Sequence, residues 1–223
     1  MMNDLKTGLK LMRYAYGIKT NCIQAAVFLL AGLVLILSGG EGNLVVWGGF
    51  FWISISMLPT QLIYTLGVSK LVQASPMRKK LQTVFPVAAN FACVTAVYLA
   101  ELVMCGIRLG VRPDEAGWMG RSLIALAVMM AFMMLYLGAC YKYFVAATLF
   151  LVPVMVFWLR GGIENWVYAQ FLFGGRDVPL GQAAAIGFGI LILGALAEYL
   201  LVLLFYRAPL SKMAQAVPLR KEL

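Results

Sequence analysis

Six runs of apolar residues dominate this chain: Asn21–Gly39, Leu44–Val68, Val84–Cys105, Ser122–Cys140, Tyr143–Leu159 and Ala183–Phe205. Each approaches or exceeds the ~20 residues that carry a helix across ~30 Å of hydrocarbon. In lipid, a helix is the form that satisfies its own backbone within one segment. Of 223 residues, 63% are apolar and 12% charged, and the mean hydropathy is +0.89. Soluble domains carry about 25% charged residues, and a core of this size hides too little apolar surface to keep such a chain in water. The same figures exclude disorder. The expectation is an all-α integral membrane protein forming a single transmembrane domain over 1–223.

The fourth and fifth runs are separated only by Tyr141, Lys142 and Tyr143. Taken as one helix, 122–159 would extend ~57 Å, too long for one crossing and enough for two. A tight hairpin is therefore expected there. With six transmembrane helices, thirteen Lys and Arg fall on the side of the N-terminus, among them Lys6, Lys10, Lys79, Lys80, Lys142 and Arg207. Five fall opposite: Arg108, Arg112, Arg121, Arg160 and Arg176. The positive-inside rule then puts both termini in the cytoplasm, in a multi-pass protein of the inner (plasma) membrane. The excess of eighteen basic over nine acidic residues is a topology signal here rather than a sign of nucleic acid. The first run is not read as a cleaved signal peptide, since about twenty residues precede it.

Histidine is absent, which removes mechanisms that need a His ligand or base. Cys22, Cys93, Cys105 and Cys140 fall in or at the ends of apolar runs without a C-x-x-C pair, and read as inert thiols. There is no Gly-Lys dipeptide, hence no phosphate loop, and no nucleophile elbow or EF-hand loop. Neither catalytic residues nor a metal site are expected, and any energy source is a proton, an ion or a partner protein.

Several segments carry features of their own. In 1–20, Leu5, Leu9, Met12 and Tyr16 share a helical face beside Lys6, Lys10 and Arg13, the pattern of an interfacial amphipathic helix; a plain basic flank is the simpler alternative. The cytoplasmic loop 69–80 offers Ser75-Pro76 as a helix start. Leu71-Val72 leaves an apolar knob near Arg78, Lys79 and Lys80, suited either to docking on a soluble partner or to a solvated turn. In 160–182, two glycine pairs bracket 163–173, which would reach only ~16 Å as helix. An external re-entrant hairpin with Trp166, Tyr168 and Phe171 near headgroup level fits those aromatics.

Within the runs, Ser56, Thr60 and Tyr64 form a polar stripe, with Gln61 nearby and Asn21 and Gln24 at the start of the first helix. These would line a cavity or bond between helices. Glu101, near the outer end of its run, and Glu198, within ~12 Å of the inner end of its own, are intramembrane carboxyls and so functional candidates by default; structural roles are the alternative. Gly181, Ala185 and Gly189 suit close helix packing. The cluster Met129, Met130, Met133 and Met134 reads as gap filling.

The arrangement resembles the permease subunit of a type-2 ATP-binding-cassette exporter: a basic interfacial helix, six spans with both ends inside, a docking loop between spans two and three, and an external break before the sixth. The stretch Ala74-Ser75-Pro76-Met77-Arg78-Lys79-Lys80 is similar to the loop that follows the coupling helix in such permeases. The resemblance covers nearly the whole chain through its layout, and antimicrobial-peptide or phenol-soluble-modulin exporters are its nearest group. It implies that Ser69, Lys70, Leu71, Val72 and Gln73, with Arg78, couple to a separate ATPase subunit. It also implies a second copy of the permease, spans one, two and five lining the path, and ATP and Mg held by the partner rather than by this chain. ATP-driven closure of the partner would push the coupling helices and rock the permeases, with the external hairpins as lid. The cargo implied is an amphipathic peptide or lipid-like molecule. Two other readings stand beside it: the substrate-capturing subunit of an energy-coupling-factor vitamin importer, although the first run lacks that group's Ala-x-x-x-Ala motif, and a non-transporting membrane scaffold. A proton-coupled carrier fits less well still, since both carboxyls are expected near the membrane edges.

Overall fold

The computed structural model describes residues 18–38, 49, 51–58, 74, 76, 78–140, 142–160 and 178–209, and its elements are all helical. They are α1 (Ile18–Ser38), a helical stretch over 51–58, α2 (Arg78–Gln82), α3 (Val84–Val111), a 3₁₀ turn (Pro113–Glu115), α4 (Ala116–Cys140), α5 (Phe144–Leu159) and α6 (Leu180–Phe205). Among the described residues, four stretches are long and apolar enough to cross a membrane: Lys19–Ile36, Arg78–Val111, Trp118–Cys140 and Leu180–Phe205. The apolar part of α5, Phe144–Trp158, is shorter.

Local chemistry sets the breaks. Pro86 has no N–H for the Gln82 carbonyl four residues back, and its ring crowds that carbonyl. The helix accordingly interrupts at Thr83, whose hydroxyl donates to the Lys79 carbonyl at 2.7 Å. Pro113 disfavours helical backbone at Arg112, which sits at φ −135°, ψ 80° and ends α3. Between α4 and α5 the amides of Lys142 and Tyr143 both donate to the Ala139 carbonyl, at 3.1 and 2.9 Å, closing the tight turn expected there.

The core centres on α4, where Leu123, Ile124, Met129, Met130 and Met134 are fully buried; the methionine cluster fills the interior as expected. α6 lies against α4 at backbone-close range, because glycine stands at the contacts. A Cβ on Gly194 would come within 3.0 Å of the Ala131 Cβ, and one on Gly138 within 3.2 Å of Glu198 Cγ. A Cβ on Gly120 would strike the Val178 carbonyl, and one on Gly187 the Tyr98 ring.

Several expectations need correction. The buried face of α6 is Ala183, Gly187, Leu191, Gly194, Glu198 and Val202. Gly181 and Gly189 have open space around them and Ala185 is exposed, so the stripe expected to pack does not pack within the described residues. α3 runs on to Val111, past the end of the apolar run at Cys105, and Arg108 in that extension bonds to Glu115. α4 begins at Ala116 rather than Ser122, and α6 at Leu180, which takes 180–182 out of the expected hairpin. Within 69–80, residues 78–80 are already helical, and Pro76 stands in a turn ahead of α2 rather than at a helical first position.

Candidate functional site

α3 carries a polar file along its buried face. Asn90, Tyr98, Glu101 and Cys105 are all buried there, and Arg108 follows three residues later. Their separations of eight, three, four and three residues keep them on one side of a 3.6-residue helix. The rest of that face is apolar, so each polar group needs a partner inside the protein.

At one end of the file, the Asn90 amide Nδ2 donates to both carboxylate oxygens of Glu198 on α6, at 2.9 and 3.1 Å. Neither residue has any exposed surface. The glycine at 138 on α4 leaves the room in which Glu198 lies. Further along, the Tyr98 hydroxyl reaches the α6 carbonyls of Ala183 and Ala184 at 3.3 and 3.4 Å, and its ring meets Phe188 edge-on at 5.2 Å.

Glu101 differs from Asn90 and Tyr98 in the file. It is fully buried, yet among the described residues neither of its oxygens has a hydrogen-bond partner. Gly49 and Leu126 close over it: a Cβ on Gly49 would stand 3.4 Å from Oε1 and 2.6 Å from Leu126 Cδ1. Val111 ends the helix ten residues beyond, about 15 Å further along the axis. Glu101 thus lies deeper in its helix than a boundary at Cys105 implied, and it is sealed from water. An ionised carboxylate in such surroundings costs several kcal/mol unless paired.

The far end of the file closes in a clasp. Arg108 holds Glu115 through Nε and Nη2 at 2.6 and 3.1 Å, lies 5.7 Å from the Trp118 ring, and donates to the Ile36 carbonyl of α1 at 3.3 Å. Arg112 adds a contact to Glu115 at 3.3 Å. Hydrogen bonding from Arg108 holds the Glu115 carboxyl below the usual range, with Arg112 assisting.

The opposite end of the bundle is cationic. Lys142 is buried in the α4–α5 turn and donates to the carbonyls of Ala208 and Tyr206, just past the end of α6, at 2.6 and 3.4 Å. That is a favoured place for a cation, beside the last carbonyls of a helix. Burial, with the Arg78 charge nearby, lowers the Lys142 pKa. Arg78, Lys79, Lys80 and Arg207 are exposed.

Of the expected site residues, Glu101 lies on the buried face of α3, Glu198 lies on the buried face of α6, and Arg78 is exposed at the start of α2. Ser56 is buried and donates to the Ile53 carbonyl of its own helix at 2.7 Å, while Gln24 is exposed on α1. Ser69, Lys70, Leu71, Val72, Gln73, Thr60, Gln61, Tyr64, Trp166, Tyr168 and Phe171 lie outside the described residues, as does most of 1–20. Asn90, Tyr98, Arg108 and Glu115 were missed as site residues, although their spacing with Glu101 is visible in the sequence. The four cysteines are free thiols; Cys105 is buried and Cys22 exposed. Compared with known proteins, the chain matches no family model, no curated protein and no solved structure.

Proposed function

We propose that this chain is the six-span permease subunit of an ATP-driven exporter, with both termini cytoplasmic and an amphipathic peptide or lipid-like cargo. The observation that carries the reading is the cationic end of the bundle. There α2, broken from α3 at Thr83, presents Arg78, Lys79 and Lys80 to solvent. A cation-bearing first turn that runs on into a long membrane helix is a handle on which a soluble ATPase can push. In this reading Ser69–Gln73 and Arg78 form the coupling surface, two permeases pair with two ATPases, and ATP and Mg stay on the partner. Spans one, two and five line the path, and the 160–182 segment serves as lid. The test is a pull-down from native membranes with wild type and Leu71→Asp. Recovery of an ATPase subunit that the variant loses is the expected result; wild type without an ATPase overturns the reading.

A second reading rests on Glu101. A buried carboxyl with no partner is an acceptor waiting for one, which favours a proton-linked carrier over a scaffold. Dissipating the proton gradient while ATP is maintained separates the two transport readings. Transport that persists supports the ATPase; transport that stops, and is lost in Glu101→Gln, supports the carrier.

A further inference from the structure

Between the first half of α3 and the second half of α6 runs an outward-facing groove of about 470 Å³. Val84, Ala88 and Phe91 of α3 and Ile192, Leu196 and Tyr199 of α6 line it. The helices run antiparallel here, so Val84 and Tyr199 stand at one end and Phe91 and Ile192 at the other. Seven residues of helix give the groove a length of ~11 Å, most of the ~15 Å depth of one leaflet. Its walls are apolar except for the Tyr199 hydroxyl, and Val84, Ile192 and Leu196 are 44%, 50% and 55% exposed. Tyrosine at such a place favours the membrane–water boundary.

The cations sit at that same end. Lys80 precedes Val84 by four residues, and Lys79 and Lys80 are both exposed on α2. The break at Thr83 separates these cations from the apolar wall within one turn. A basic cluster immediately beyond a membrane helix attracts anionic headgroups. Here it adjoins a slot one leaflet deep, open to the side and too apolar for water. The joint arrangement suits a molecule with one anionic head and a long apolar tail.

We infer that the α3–α6 groove binds an anionic glycerophospholipid, its acyl chain between Ala88 and Leu196 and its phosphate against Lys79 and Lys80. The occupant is a bound lipid of the cationic leaflet, and the inference stands whether or not the chain works with an ATPase. It assigns Lys79 and Lys80 to lipid and leaves Arg78 to the coupling surface.

Native mass spectrometry of the purified full chain, titrated with phosphatidylglycerol or phosphatidylcholine of identical acyl chains, tests this. Wild type should retain phosphatidylglycerol adducts at concentrations at least tenfold below those needed for phosphatidylcholine. Each of Lys79→Gln and Lys80→Gln should weaken phosphatidylglycerol binding about fivefold, leaving phosphatidylcholine unchanged. Ala88→Phe, which fills the slot from an exposed position, should weaken both lipids, with an unchanged melting temperature confirming the fold. Equal retention of the two lipids by wild type overturns the inference, as does phosphatidylglycerol binding indifferent to Ala88→Phe. The same spectra report oligomeric state. An Ala88→Phe variant that falls from dimer to monomer with lipid binding intact would show that a second copy fills the groove.

Discussion

Glu198 and Glu101 show how differently one residue type is housed a few turns apart. Glu198 has Asn90 on both oxygens, whereas Glu101 has no hydrogen-bond partner among the described residues. Removing Asn90 would take from Glu198 the donor on both its oxygens at a site with no exposed surface. Asn90→Leu is therefore expected to destabilise the folded chain by about 1–2 kcal/mol, while Glu198→Gln, which can still accept from Asn90, costs less. Thermal unfolding of both variants in one detergent checks the order; equal losses would mean that the amide is not the carboxyl's essential partner. The presence of both carboxyls inside a membrane helix was plain from the sequence. That Asn90 serves one of them was not, because the pair is 108 residues apart and depends on the packing of α3 against α6.

The elements divide in the same way. Length and apolarity alone place the long helices, and Pro86 and Pro113 account for two of the breaks. Which face of α6 turns inward is harder, because small residues occur in two registers on that helix. Gly181, Ala185 and Gly189 make one; Ala183, Gly187 and Gly194 make the other. The deciding signal is Glu198, which shares its register with the second set and cannot face hydrocarbon at low cost. The outcome is testable by matched substitutions. Gly187→Ala drives a methyl into the Tyr98 ring and should cost about 1–3 kcal/mol, whereas Gly189→Ala meets open space and should be neutral or slightly stabilising. Melting temperatures of the two variants give the comparison; a tolerated Gly187→Ala would show that α6 does not press on Tyr98 so closely.

At the scale of the molecule, the charged groups of the described helix ends sort by end. The Lys142 bonds to Tyr206 and Ala208 bring the α4–α5 turn to the end of α6, near Arg78, while Arg108, Arg112 and Glu115 gather where α3 meets α4. The proposed orientation then predicts a labelling pattern. With the four native cysteines replaced by alanine, Asp114→Cys should react with an impermeant maleimide in intact cells and Lys79→Cys only after permeabilisation. Reaction of both from one side would refute the span count between them, and the reverse pattern would invert the chain. The opposed ends were legible as a count of basic residues, but the carbonyl contacts that seat Lys142 needed the folded chain. α1 has a looser place in this frame. Ile23, Val27, Leu30 and Val34 are more than half exposed, and its described ties are Trp52 Nε1 to the Leu29 carbonyl at 3.4 Å, the Phe28–Phe51 ring contact and the Arg108 bond to Ile36. Mechanically, α3, α4 and α6 are interlocked through glycines, and Arg108 pins α1 near its far end.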